Sequence, residues 1–324
     1  MLTERIFQIS SEQEFNSVCM EVFKFQFENN PVYGQFCRLL GKNPENVRSI
    51  KKIPFLPIEF FKTKRILSED KDPEIIFTSS GTTGNQTSEH LVTDLNIYEK
   101  SFLAGFEKFY GPASDYIFLA LLPSYLERQG SSLIYMVDKL IRKSGDPNSG
   151  FYLDDLDSLT QKLKELDSQG KKVILIGVSF ALLDLVEKTS FNLKNTIVME
   201  TGGMKGRRKE MIRQELHENL KKGFGVESIH SEYGMTELLS QAYSTGNGIF
   251  ECPSWMKILI RDPEDALSLQ AKGKTGGINV IDLANINSCS FIATQDLGRI
   301  SGTQIEILGR FDNSDIRGCN LLVL

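Results

Sequence analysis

The 324-residue sequence is short of several things. It has one Trp, three His and five Cys. Cys19, Cys37, Cys252, Cys289 and Cys319 form an odd set, with no CxxC pair and no His-rich spacing beside them. That pattern fits free thiols in a reducing compartment better than a disulfide framework or a zinc site. A basic excess is missing too: Lys and Arg total 37 against 42 Asp and Glu, a formal net charge of -5. Nucleic-acid binding is therefore not expected as the main business of the surface. No run approaches the roughly 20 apolar residues needed to cross a bilayer. The opening stretch MLTERIFQISSEQEF has no continuous apolar segment of the secretory kind. These absences lead to the expectation of a cytoplasmic protein with no membrane span. Internal repeats, low-complexity tracts and the Walker A pattern GxxxxGK[ST] are also lacking.

What is present is an ordinary globular balance, 40% hydrophobic and 24% charged, on a chain long enough for a sizeable core. Residues 1–72 read as a helical segment of the main domain. Phe15, Val18, Cys19, Val22, Phe23 and Phe27 recur at helical spacing, and a second short helix stops at Gly41. In KKIPFLPIEFFKTKRI, Pro54 and Pro57 prevent regular helix, and the stretch reads as a connector pinned to the core by Phe55, Phe60 and Phe61. From residue 73 to 249 strands and helices alternate. Strands are expected at Ile75–Thr78, Tyr116–Leu122, Val173–Ile176, Thr196–Met199 and Val226–His230. Helices are expected near Leu95–Phe109, Ser131–Ser144, Asp155–Ser168, Phe180–Lys188 and Gly206–Lys222, with the GRRK cluster as a solvated helix start. Continuous apolar strands such as VILIG suit a parallel sheet covered on both faces. Residues 250–324 turn Gly-rich, with short β segments, and suggest a small barrel-like or antiparallel subdomain.

The most unusual stretch is Thr78-Ser79-Ser80-Gly81-Thr82-Thr83-Gly84, which follows the apolar run Ile75-Ile76-Phe77. If Ser, Thr and Gly make up about 20% of an average chain, seven in a row arise on the order of 10⁻⁵ per position. An ordinary turn explains a short piece of this loop better than it explains the whole. Hydroxyls and the N–H groups of a Gly-rich turn are suited to phosphate oxygens. Farther on, SEYGMTE (Ser231 to Glu237) follows the strand candidate VESIH. Taken alone, each has an ordinary structural explanation.

Together they resemble the adenylate-forming superfamily of acyl-CoA synthetases, luciferases and peptide-synthetase adenylation domains. TSSGTTG resembles its phosphate loop, ETGGMKG (Glu200–Gly206) its glycine turn beside adenine, and SEYGMTE its aromatic-Gly-x-Thr-Glu motif. TQDLGR (Thr294–Arg299) resembles the ribose-binding TGD motif, with Gln295 in place of the usual Gly, and LGRFDNSDIRG (Leu308–Gly318) resembles the hinge. The order is the family's own. The resemblance implies ATP and Mg²⁺ as cofactors. Thr78, Ser79, Ser80, Gly81, Thr82, Thr83 and Gly84 would hold phosphates; Gly202, Gly203, Tyr233 and Gly234 would pack on the base. It also implies that Thr236 contacts the α-phosphate, Glu237 ligates Mg²⁺, Asp296 binds the ribose hydroxyls, Arg310 reaches the nucleotide and Asp312 sits at the hinge.

Two departures sharpen the resemblance. No Lys follows the phosphate loop, and the sequence stops soon after the hinge, so the mobile C-terminal lobe of typical relatives is expected to be absent. Both features, with PFLPIEFFKTKRI upstream and a tail of the form GRxDxSxIRGC, resemble the acyl-protein synthetase branch found in the bacterial luminescence fatty-acid reductase complex. The implied fold is α/β, the large N-terminal domain of adenylate-forming enzymes with layered sheets and a small β-rich subdomain. The implied reaction is ATP-dependent activation of a carboxylic acid, fatty by analogy, followed by transfer to a thiol.

In that branch the acyl group reaches a cysteine near the C-terminus, here Cys319. Arg317 favours its thiolate and Gly318 gives its backbone freedom, yet CNLLVL also reads as a closing strand. Three alternatives therefore stand: self-acylation at Cys319, loading of CoA or a carrier protein, and a catalytically silent nucleotide-binding subunit. His230 reads as structural or substrate-lining and His90 as following the phosphate loop. Tyr125 and Arg128 lie where relatives keep an aromatic residue near the carboxylate pocket.

Overall fold

The computed structural model describes residues 2–79, 87–122, 130–153, 155–202, 208 and 211–310. Contacts divide the chain into two units, Lys71–Pro253 and a second made of Met1–Asp70 with Ser254–Leu324.

In the unit Lys71–Pro253 the described residues form a six-stranded sheet with the spatial order Gly150–Tyr152, Ile117–Leu121, Val173–Val178, Thr196–Thr201, His230–Tyr233, Ala242–Ser244. All pairs are parallel except the last. Ile117–Leu121 and Val173–Val178 are buried along their whole length, as strands covered on both faces must be. Helices Leu95–Tyr110, Ser132–Ser144, Leu156–Ser168 and Ser179–Lys188 fall within a residue of their expected places. Asp94, Ser131 and Asp155 cap three of them by accepting backbone N–H bonds.

Two segments differ from expectation. The strand expected at Val226–His230 is His230–Tyr233, because Gly225 takes a left-handed conformation after the preceding helix and pairing begins only at Met199 opposite His230. The motif's Ser231, Glu232 and Tyr233 therefore lie within the strand, not after it. The helix expected from Gly206 starts at Arg213 instead. Of the GRRK cluster, Gly206, Arg207 and Lys209 lie outside the described residues; the guanidinium of Arg208 donates to Asp184 and to both carboxylate oxygens of Glu187 on the preceding helix.

The other unit is built on an antiparallel sheet, Met256–Arg261, Thr275–Asp282, Phe291–Ser301, Gln304–Arg310 in spatial order. Helix Glu12–Asn29 buries Phe15, Val18, Cys19, Val22 and Phe23 as expected, while Phe27 is only half-buried and Gln26 is fully buried. Gln26 explains the exchange: its amide donates to the carbonyls of Asn285 and Ile286 and accepts from the Ser290 N–H. The connector after it is pinned as read from the sequence. Phe55 and Phe61 are buried, Phe60 is only half-buried beside Phe36, and Tyr33 Oη donates to the Pro54 carbonyl. It also contributes a short strand, Leu56–Pro57, parallel to Ile292 and Ala293.

Candidate active site

The Ser/Thr/Gly loop joins the two strands of a hairpin, Ile75–Thr78 and Glu89–Val92, with Thr78 opposite Glu89. Ser80, Gly81, Thr82, Thr83 and Gly84 lie outside the described residues. Thr78 N–H donates to the Gly130 carbonyl, and Ser79 and Ser88 close the hairpin mouth through Ser79 N–H to Ser88 O and Ser88 N–H to Ser79 Oγ. Phe77 anchors the hairpin from below, edge-on to Tyr98 and Tyr135. The second strand was not anticipated from the sequence, since Glu89-His90-Leu91-Val92 is too short for its alternation to be read.

His90 is completely buried, and its Nδ1 lies 2.8 Å from the Thr236 carbonyl oxygen. A carbonyl only accepts, so Nδ1 carries the proton. One side chain thus ties the Ser/Thr/Gly hairpin to the turn that follows His230–Tyr233. On that turn Glu237 is buried and Thr236 is half-buried; Tyr233, the last residue of the strand, is half-buried with its ring centroid 6.3 Å from that of Phe250. The structure therefore brings together Thr78, Ser79, His90 and Thr236.

Gly202 ends strand Thr196–Thr201 with φ of 69°, a conformation open to glycine at no steric cost. Its carbonyl accepts from Ser179 Oγ at 2.9 Å. Gly203 is outside the described residues, as are Tyr125, Arg128, Asp312 and Cys319. Beneath Gly202 lies a charged cluster that sequence reasoning missed. Glu200 is buried and pairs with Arg213, and His217 Nε2 lies 3.4 Å from the same oxygen. Burial alone would raise the Glu200 carboxyl, but Arg213, His217 and Ser231 together hold it below the usual carboxylate value. The only sequence signal was Arg213 and His217 sharing a helix face at a spacing of four.

In the other unit, strand pairing puts Asp296 directly opposite Arg310, with Arg310 Nε 3.4 Å from Asp296 Oδ1. Asp296 is buried and its N–H donates to Thr294 Oγ1 at 3.1 Å. Gln295, in the usual place of Gly, is exposed and donates its amide to Glu59 Oε1 at 2.5 Å. The two residues expected at the ribose and nucleotide are thus neighbours.

Comparison with solved structures defines the class by fold. The chain resembles a 2-hydroxyisobutyryl-CoA ligase in complex with its acyl-AMP and CoA, with TM-score 0.64, 12% identity, 93% of this chain and 71% of that one. It also resembles ATP-bound MatB from Rhodopseudomonas palustris, with TM-score 0.54, 17% identity, 75% of this chain and 48% of that one. The fold is that of adenylate-forming ligases. A long-chain-fatty-acid–luciferin-component ligase of Vibrio harveyi is 24% identical over 333 residues, covering 92% of this chain and 84% of its own. The family model "Acyl-protein synthetase, LuxE" matches residues 143–324, more than half of the sequence. The chain belongs to the acyl-protein synthetase family, LuxE. It is a ligase of the adenylate-forming type, using ATP to activate an acyl group and a thiol to receive it. No described helix is long and apolar enough to cross a membrane.

Proposed function

We propose that this chain activates a fatty acid as acyl-AMP in the cytoplasm and passes the acyl group to Cys319. The observation that carries this reading is the His90–Thr236 link, which joins the Ser/Thr/Gly hairpin to the Tyr-Gly-Met-Thr-Glu turn. A substrate carboxylate oxygen attacks the α-phosphorus of ATP, the bond to the bridging oxygen breaks, and pyrophosphate leaves. No general base is needed, because a carboxylate is ionised at neutral pH. Thr78, Ser79 and the loop 80–84 cradle the phosphates, Thr236 faces the α-phosphate, and Asp296 with Arg310 holds the ribose side. Tyr233 packs on adenine beside Gly202, Gly203 and Gly234. Positioned donors of this kind carry most of the work of phosphoryl transfer.

Glu237 is the residue proposed to hold Mg²⁺. Among the described residues no group of three or more His, Cys, Asp or Glu converges on one point. A single carboxylate suits Mg²⁺, which usually shares its coordination with nucleotide phosphates and water. The ion, when bound, neutralises phosphate charge.

In the second step a thiolate attacks the acyl carbon and AMP departs. Cys19, Cys37 and Cys289 are poor candidates, since burial pushes all three thiols up, Cys37 to about 12. Of the two that remain, Cys252 and Cys319, it is Cys319 that has Arg317 and Gly318 beside it in the sequence, the local features of a reactive thiol. Incubation with ATP and radiolabelled fatty acids tests this. The expected result is a hydroxylamine-sensitive labelled band that Cys319→Ser abolishes while acyl-AMP still forms. If Cys319→Ser keeps full labelling, or if label moves only to added CoA or carrier protein, the self-acylation step is wrong.

A further inference from the structure

Side chains alternate across a strand, so Glu232 points to the side opposite Tyr233 and takes no part in the reaction above. It faces a cavity of about 10 Å³ otherwise walled by Phe106, Phe118, Ile176, Met199 and Tyr243, among others. That volume is on the scale of one water molecule and is far too small for an acyl chain. Thr201, beside Glu232 in parallel register, donates Oγ1 to Glu232 Oε2 at 2.5 Å. Tyr243 stands directly opposite in antiparallel register, buried, with no hydrogen-bond partner for its Oη. A Cβ on Gly234 would lie 2.5 Å from Glu232 Oε1 and 3.2 Å from Gln241 Cγ. The carboxyl is therefore packed against the backbone of the turn that follows Tyr233 and bears Thr236.

The groups around Glu232 supply no cation among the described residues. Helix Leu95–Tyr110 brings Tyr98 and Tyr110, strand Ala242–Ser244 brings Tyr243, and Glu200 on the neighbouring strand adds repulsion. His230, on the same strand face, stays neutral because burial pushes it down to about 4; its Nδ1 lies 3.2 Å from Tyr110 Oη. Val173–Val178 and helix Ser132–Ser144 line the cavity only with Ile174, Ile176, Met136 and Leu140. Burial first, and Glu200 after it, push the Glu232 carboxyl up to about 7 against the lowering effect of the Thr201 bond.

We propose that Glu232 is a positioning residue for nucleotide binding: as a neutral acid it braces Gly234, and its ionisation loosens the turn that follows Tyr233 and carries Thr236. The proposal rests on that turn being the nucleotide site. The neutral acid keeps the Thr201 bond and carries an O–H of its own, facing an unpartnered phenol oxygen across the strand pair. The carboxylate has one hydroxyl donor and no cation in an apolar space, so it is drawn toward solvent and away from Gly234.

The test is the KM for ATP in fatty-acid-dependent pyrophosphate exchange from pH 6 to 9, for wild type, Glu232→Gln and Glu232→Ala. If only the neutral form binds well, the wild-type KM rises about tenfold between pH 6 and 8 with little change in kcat. The uncharged isostere Glu232→Gln should show no such rise, and Glu232→Ala should bind ATP poorly at every pH. A Gln variant with the wild-type pH profile, or one as poor as Ala, overturns the proposal. A wild-type protein that exchanges normally with a flat KM profile overturns it while leaving the acyl-activating reading intact. A wild type that neither binds ATP in calorimetry nor exchanges overturns both.

Discussion

Arg213→Ala removes the cation nearest to a carboxylate whose side chain is 3% exposed, while Arg213 itself is 28% exposed. Breaking a buried ion pair from one side costs about 3–5 kcal/mol, because the remaining charge stays buried without its partner. Here the loss is softened. Ser179 Oγ still donates to the other Glu200 oxygen at 3.2 Å, and His217 Nε2 remains 3.4 Å from the first. The partial exposure of Arg213 also lets water reach the gap. The low end of the range, about 3 kcal/mol, is the expectation. Urea unfolding followed by far-ultraviolet circular dichroism measures it. Glu200→Gln in the Arg213→Ala background removes the stranded charge and should recover about 1–2 kcal/mol. Because the Glu200 carboxyl is held below its ordinary value of 4.5, the stability it contributes is present above pH 4.5 and lost as pH falls through the folded value. The penalty of Arg213→Ala should therefore shrink in acid. Equal instability of the single and double variants, or a penalty that does not change with pH, would refute the assignment of a buried ion pair.

Asp167 accepts from the N–H groups of Lys194 and Asn195 and from Thr196 Oγ1, at 2.8–3.1 Å. Asp167→Ala should cost about 2–4 kcal/mol in urea unfolding, since it strands several donors at the start of a central strand. Asp296→Asn, which keeps the shape but loses the charge facing Arg310, should raise the KM for ATP by about tenfold with a smaller effect on the KM for the acid. Thermal melting between pH 4 and 9 should change little in the wild type, because two contributions of opposite sign overlap. Glu232, raised from 4.5 to about 7, contributes stability that is present below pH 4.5 and lost as pH climbs through 7. Its full swing is about 3 kcal/mol. His230, lowered from 6.5 to about 4, contributes stability that is present above pH 6.5 and lost as pH falls through 4. Glu232→Gln should remove the first contribution and unmask the second, leaving stability that is level above pH 6.5 and falls below it.

Much of the α/β layering could be read from the sequence because strands such as Val173–Val178 are apolar without interruption and the helices between them carry clear caps. The site motifs were read for a different reason: TSSGTTG is a run of rare composition, and SEYGMTE, Asp296 and Arg310 follow it in the order of the family that the sequence resembles. What stayed hidden was set by contacts between residues far apart in the chain. Nothing local marks Gln26 as the partner of Ser290, or His90 as the partner of Thr236. Glu232 was passed over because a carboxylate beside a tyrosine reads as surface; only the flanking strands, with Thr201 and Tyr243, enclose it. The strand start was misplaced at Val226 because VESI alternates like a strand, while the left-handed Gly225 delays pairing to His230.

The central claim is that this chain makes acyl-AMP. Exchange of labelled pyrophosphate into ATP, run with a panel of saturated fatty acids and with no acid, tests it most directly. The account predicts exchange that depends on the acid, requires Mg²⁺, and falls by at least about tenfold in Thr236→Ala or Glu237→Gln. ATP binding without exchange across the whole panel would contradict it and leave a nucleotide-binding subunit without the chemistry.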